Sequence, residues 1–237
     1  MKRRHFISKL VPTGAALPIL AGPLRGARWI VGAASGAGKG MSVVVNQAEP
    51  RLLTLARSWL TPDSVSLDLG ANVGLYTLLF ARYGGHVHAF EPLPRNVAYL
   101  FRHCELNRLS NVTILPWALS DHLALARFQL GPSSALGRLS DAGTLPVVSV
   151  SLDEYARAMD RRPDVLKIDV EGAEERVLAD GRELLAGARP KILLSIHGRK
   201  AREGCLERLR EHGYRVTPLD HANPDAAKNF ACVPSEI

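Results

Sequence analysis

Cysteine is scarce in this chain: Cys104, Cys205 and Cys232 are its only three, far apart and odd in number. No Cys-x-x-Cys occurs, so neither a disulfide framework nor a zinc site is expected, and three buried or incidental thiols are the simplest reading. Acid is almost missing from the first 60 residues, where nine Lys/Arg face Glu49 alone. The other 177 residues hold 21 basic and 22 acidic side chains, so the formal charge of +7 belongs to the N-terminal arm. Such an arm suits anionic lipid, nucleic acid, a translocation machine, or simply solvent. Long apolar runs are lacking too. Leu10 to Gly22 is broken by Pro12 and Pro18 and is too short for a membrane span. Lys2-Arg3-Arg4-His5-Phe6-Ile7 ahead of it looks like a twin-arginine signal, which makes Met1 to Pro23 a candidate targeting segment. A complete P-loop is also absent. In Gly32 to Gly40, Ala33 stands where the first Gly belongs and Gly40 where Ser or Thr would hold magnesium, so this stretch reads as a flexible turn.

What is present is centred on Val65 to Gly74, Val-Ser-Leu-Asp-Leu-Gly-Ala-Asn-Val-Gly. Val65, Leu67 and Leu69 form the apolar side of a short strand, and Gly70 and Gly74 allow a tight turn. Leu75 to Tyr83 reads as a helix ended by Gly84-Gly85. A strand, glycine loop and helix in that order aim a helix N-terminus at a nucleotide-like ligand. A dinucleotide site would need Gly at 72 for close approach of a pyrophosphate, and Asn72 stands there. Asp68, at the strand end, would repel phosphate but suits a cationic or hydroxylated ligand. His86 to Phe90 reads as the next strand, closed by Glu91, 21 residues after Gly70. That spacing brings an acid to ribose hydroxyls. S-adenosylmethionine, with a sulfonium, an amine, two ribose hydroxyls and no phosphate, meets these conditions.

Other segments follow by pattern. Met41 to Asn46 reads as a strand and Pro50 to Leu60 as a helix on the domain edge. A helix starting at Pro92 and Pro94 carries Val97, Leu100, Phe101 and Cys104 on one apolar stripe, with Asn107 as a left-handed cap. Asn111 to Pro116 is a third strand, and Trp117 to Asp121 a loop at the carboxyl edge of the sheet. There the Ser120 backbone and Asp121 could hold an adenine, or Asp121 could cap a turn. Leu123 to Leu130 and Pro146 to Ser151 look like extra strands around an insertion facing the substrate, with Gly131-Pro132-Ser133-Ser134 starting their loop. Ser151-Leu152-Asp153-Glu154 fits a capping box opening a helix to Met159.

Val165 to Glu174 is the second informative stretch. Alternation puts Lys167, Asp169 and Glu171 on one side of a strand that should be apolar on both. Lys167 can neutralise Asp68 or Asp169, leaving Asp169 and Glu171 at the strand's carboxyl end facing the cofactor. Ala173 to Leu185 is helical with a break near Gly181. Lys191 to Ile196 is a fifth strand that delivers His197 to the same edge, as a core histidine or a catalytic one. Ala201 to His212 is a basic helix closed by Gly213, and Tyr214 to Pro218 can pair with Asn229 to Val233.

Leu67-Asp-Leu-Gly-Ala-Asn-Val-Gly-Leu-Tyr-Thr77, Ala89-Phe-Glu-Pro92, Ala118-Leu-Ser-Asp121, Ser151-Leu-Asp153 and Leu166-Lys-Ile-Asp-Val-Glu-Gly-Ala-Glu174 together resemble the FkbM family of S-adenosylmethionine-dependent methyltransferases. The resemblance covers roughly residues 60 to 200. It implies an α/β class I methyltransferase fold: a Rossmann-like three-layer sandwich whose seven-stranded, mostly parallel sheet has an antiparallel last strand. It implies cofactor contacts from Asp68, Gly70, Asn72, Gly74, Glu91, Ser120 and Asp121, to which the strand reading adds Asp169, and methyl transfer to a hydroxyl of a sugar, glycan or other natural product. His197, Asp169 and Glu171 are the candidates for the base, and no metal ligands are expected.

The chain thus divides into a basic arm, 1–40, and an FkbM-type domain, 41–237. A cytoplasmic enzyme is expected, since its methyl donor is made there, with export through the arm as the alternative. Contact of the arm with an anionic membrane is a further expectation. A nucleic-acid methyltransferase and a non-catalytic cofactor-binding protein are the competing functions. Nucleic acid is not expected as a partner, because no Asn/Asp-Pro-Pro-aromatic motif is present.

Overall fold

The computed structural model describes residues 11–34, 38–131, 137–223 and 225–236. The twin-arginine-like residues, the middle of the Gly32 to Gly40 run and Pro132-Ser133-Ser134 lie outside them.

The chain opens with β1 (Ala16–Pro18) and β2 (Arg28–Ile30), an antiparallel ribbon, then α1 (Met41–Val44) and α2 (Pro50–Ser58). The central run is β3 (Val65–Leu69), α3 (Leu75–Tyr83), β4 (His86–Phe90), α4 (Pro94–Leu106) and β5 (Val112–Leu115). A small four-stranded insertion follows: β6 (Trp117–Ser120), β7 (Ala124–Leu130), β8 (Gly137–Leu139) and β9 (Leu145–Ser151). Then come α5 (Leu152–Arg157), β10 (Val165–Ile168), α6 (Glu174–Asp180), α7 (Arg182–Gly187), β11 (Lys191–Ser195), α8 (Arg199–Glu211), β12 (Tyr214–Pro218) and β13 (Asn229–Pro234).

Seven strands make the main sheet in the order β12-β13-β11-β10-β3-β4-β5. β3, β4, β5, β10 and β11 run parallel, and β13, last in the chain, lies antiparallel between β11 and β12. Side chains alternate between its faces, as the pleat requires. Ile192 and Leu194 of β11 join the core under α6, α7 and α8, while Leu193 joins the core under α2 and α3. Strand order reverses between β3 and β10, and ligands of open α/β sheets bind at the carboxyl ends beside such a switch point.

Several local expectations hold. β3, α3 and β4 have the expected bounds, Pro50 and Pro94 sit at helix starts, and Ser151 and Glu154 form the reciprocal capping box. Others need correction. Met41–Val44 is one helical turn, not a strand, with neighbouring Val43 and Val44 both buried. A half-exposed strand would have alternated them. Trp117–Ser120 is a strand, not a loop, paired in parallel with β9. The buried face of α4 is Asn96, Leu100, His103 and Cys104, and Phe101 is 54% exposed. The face is rotated because His103 satisfies both ring nitrogens inside: Nε2 accepts the Ile30 N–H at 2.9 Å, and Nδ1 donates to the Val73 carbonyl at 2.7 Å. Asn107 is not left-handed; Arg108 is, at φ 55°. The Asn107 side chain instead accepts from the backbone N–H of Arg28 and donates to its carbonyl, tying the ribbon to α4.

The ribbon is therefore part of the packed domain. Ile19, Leu24, Trp29 and Ile30 are buried with α2 and α3 residues in one core. Among the described residues, no helix is long and apolar enough to cross a membrane.

Candidate functional site

The glycine elbow between β3 and α3 has a shape that other side chains would not permit. Gly70, at φ 83°, lies so close to the Asp169 carbonyl oxygen that a Cβ would collide with it. Gly74, at φ 98°, would collide with the Leu100 side chain. Asn72 is left-handed at φ 50°, tolerable for Asn, and its Oδ1 accepts the Val73 N–H at 2.8 Å. The two informative sequence stretches thus meet backbone to backbone.

Glu91 is held beside the elbow. Its carboxylate accepts the Asn72 N–H at 2.8 Å, the Leu93 N–H at 2.9 Å and the Asn96 side-chain amide at 3.3 Å. Burial pushes its carboxyl up to about 7 against the pull of those donors. A cavity of about 240 Å³ opens on it, lined by Gly70, Asn72, Trp117, Leu119, Asp169 and Glu171, among others.

Asp68 lies at the other side of the elbow. It is 1% exposed, accepts the Thr77 hydroxyl at 2.5 Å, and stands opposite Lys167 in the sheet register. Burial raises its carboxyl to about 6, opposed by Thr77 and Lys167. Asp68 lines a second cavity of about 250 Å³ together with Trp29, Glu49, Tyr76 and Lys167. Gly70, Asn72 and Asp169 line both cavities, which makes them adjoining chambers.

Lys167 is buried and gives its ammonium to Asp169 Oδ2 at 3.0 Å and Ser195 Oγ at 2.7 Å. Of the two partners considered for it, Asp169 is the one bonded. His197 stands beside this pair. Its Nδ1 donates to Glu174 Oε1 at 2.9 Å, and Glu174 is fully buried. Its Nε2 lies 3.8 Å from Asp169 Oδ1 and 3.7 Å from Glu171 Oε2. The Glu174 bond raises the imidazole above its ordinary value, with burial opposing, and burial raises the Glu171 carboxyl. Asp169, Glu171 and His197 offer ligand atoms within 4.8 Å of one another, a spacing that could hold a metal ion. A third cavity, about 500 Å³, is lined by His197 and Glu171 on one side and by Gln129, Arg138 and Leu139 of the insertion on the other.

The expected site residues therefore split. Gly70, Asn72, Glu91, Asp169 and Glu171 share one chamber, Asp68 borders the second and His197 the third. Gly74 shapes the elbow without lining a chamber. Ser120 and Asp121 line none of the three: Ser120 is buried on β6 and donates to Asp121 Oδ1 at 2.9 Å, and Asp121 also meets His122. Trp117, Ala118 and Leu119 line the first chamber in their place. Glu174 and Trp29 were missed. An acid opening a helix just after a strand pointed to Glu174, whereas nothing local marked Trp29.

Solved structures that superpose on this chain define the class of fold. FkbM from Methylobacillus flagellatus KT superposes with a TM-score of 0.51 at 20% identity, covering 73% of this chain and 44% of that one. This is the α/β fold of the class I methyltransferases. More specifically, residues 68–216 match the methyltransferase FkbM domain, and the chain belongs to that family of S-adenosylmethionine-dependent methyltransferases. Hexuronic acid methyltransferase AglP of Haloferax volcanii is 30% identical over 119 residues, 49% of each chain. The 31-O-demethyl-FK506 methyltransferase FkbM of Streptomyces tacrolimicus is 29% identical over 196 residues, 66% of this chain and 75% of that protein. The chain thus spans about half the length of AglP and three quarters of FkbM.

Proposed function

We propose that this chain is an O-methyltransferase acting on a hydroxyl of a glycan or other hydroxylated natural product, with His197 as the proton acceptor. The observation that carries this reading is the Glu174–His197 pair. The buried carboxylate fixes the proton on Nδ1 and leaves Nε2 beside a cavity large enough for an acceptor. The names of two relatives, one for a hexuronic acid and one for a 31-O-demethyl compound, support a hydroxylated acceptor.

The donor set fits an adenosyl cofactor. Glu91 offers a fixed carboxylate to ribose hydroxyls, and Trp117, Ala118 and Leu119 offer a flat apolar wall to an adenine, the place first given to Ser120 and Asp121. S-adenosylmethionine supplies a methyl carbon made electrophilic by its sulfonium. The chain does the rest. The insertion and the Asp169–Glu171 edge hold the acceptor, and His197 Nε2 takes the hydroxyl proton as the oxygen attacks. Asp169 and Glu171, 3.8 and 3.7 Å away, stabilise the imidazolium that forms. Leu93, Phe128 and Leu139 give the first chamber apolar lining, which favours a step in which the sulfonium gives up its charge while the proton of the hydroxyl passes to His197.

His197→Gln should lower turnover on hydroxylated acceptors about 100-fold or more while leaving S-adenosylhomocysteine affinity within about twofold. Unchanged turnover would place proton removal elsewhere. A second reading puts a divalent cation on Asp169, Glu171 and His197, favoured by their spacing. Full activity after chelation would exclude it.

A further inference from the structure

The wall of the second chamber facing the elbow comes from residues ahead of the family-matched segment 68–216. Trp29 on β2 is 1% exposed and stacks on His103, with ring centroids 4.3 Å apart. Among the described residues its Nε1–H has no hydrogen-bond partner. Buried donors are nearly always paired, so a lone one at a cavity wall points to an acceptor supplied by a ligand. Gly40, at φ 77°, packs beside that nitrogen, and a Cβ there would approach Nε1 to 2.7 Å, so a larger residue would crowd the indole.

The rest of the lining says which ligand. Asp68, Asp169 and Glu49 offer carboxylates, and the chamber shares Gly70, Asn72 and Asp169 with the Glu91 chamber. A molecule whose ribose meets Glu91 therefore reaches this space with its other end. That end needs a cation for the carboxylates and an anionic acceptor for the indole N–H, the two groups of an α-amino acid.

We propose that Trp29 donates its indole N–H to the carboxylate at the amino-acid end of the cofactor, with the ammonium facing Asp68 and Asp169. The N-terminal ribbon then belongs to the cofactor site. It is fixed there as one unit with the elbow. His103 bridges Ile30 and Val73, Asn107 holds both backbone groups of Arg28, and Arg95 donates to the carbonyls of Gly32 and Ala33. The inference rests on the adenosyl reading above.

The test is calorimetric titration of the full chain and its Trp29→Phe variant with S-adenosylhomocysteine and with its decarboxylated analogue, which keeps the ammonium. Trp29→Phe is expected to weaken S-adenosylhomocysteine about tenfold or more and leave the analogue unchanged. Equal loss for both ligands, or no loss for either, would overturn the contact. Retained binding of the analogue shows that the variant is folded. If the unaltered chain binds neither ligand, the adenosyl reading itself fails.

Discussion

The elbow side of the sheet and the four-stranded insertion differ in how fully each commits its side chains. Around the elbow, Asp68, Glu91, Asn96, His103, Lys167 and Glu174 are all buried, and each polar head has a partner. On the insertion, β8 is three residues long, and Leu123, Leu125, Leu130 and Val148 are between 38% and 79% exposed. A site for an invariant cofactor gains from rigidity, because every fixed donor lowers the ordering cost of binding. A surface that meets a variable acceptor has no such constraint, and loops and small appended sheets carry that variation.

The contrast can be broken most severely at Glu91. Glu91→Ala orphans three donors at the elbow, and should abolish measurable S-adenosylhomocysteine binding and cost about 3 kcal/mol of stability. Calorimetry with denaturant melts checks both, and binding within tenfold of wild type would refute the role.

His103 comes next. Burial lowers its imidazole to about 4, so its contribution is present above the ordinary 6.5 and is lost as pH falls toward 4. Protonation would set two donors face to face at Ile30. Acidification should release the ribbon, at a cost of about 3 kcal/mol, seen as faster amide exchange in residues 16–30 before the main sheet opens.

Asp68 has the opposite sign. Its carboxyl is raised from 3.8 to about 6, so the ligand-free fold loses stability as pH rises across that window. Asp68→Asn should gain on wild type from pH 4 to 6, by up to about 2 kcal/mol in melting experiments, while weakening a ligand that brings an ammonium. A constant difference between the two proteins over that range would contradict the burial account.

The smallest effect belongs to the insertion. Leu125→Lys, on a residue 79% exposed, should change stability by less than about 0.5 kcal/mol and leave cofactor affinity untouched. A large loss there would erase the difference between the two regions.

The same contrast decides what could be read from residue order. The elbow was legible because strand, turn and helix are local, and Gly70 and Gly74 mark backbone that other residues cannot adopt. Lys167, Asp169 and Glu171 were legible as charges where a buried strand should carry none, and His197 as the residue that the next strand delivers to the same edge. Partners supplied across the fold were not. The face of α4 turns on His103 meeting a ribbon 73 residues away, and β6 is a strand only because β9 returns beside it. The short helix at Met41–Val44 looked like a strand because its valines favour one, until packing chose otherwise.

β13 enters the sheet between two strands that precede it in the chain. During synthesis the edge of β11 stays open until Asn229 and its neighbours have left the ribosome. Ser195, which holds the buried Lys167 ammonium, receives its second partner, Asn229, only then. The nascent protein therefore carries an unfinished seam beside β11 from the making of Ser195 until that of Asn229, late in its manufacture, with an open strand edge exposed to wrong pairing.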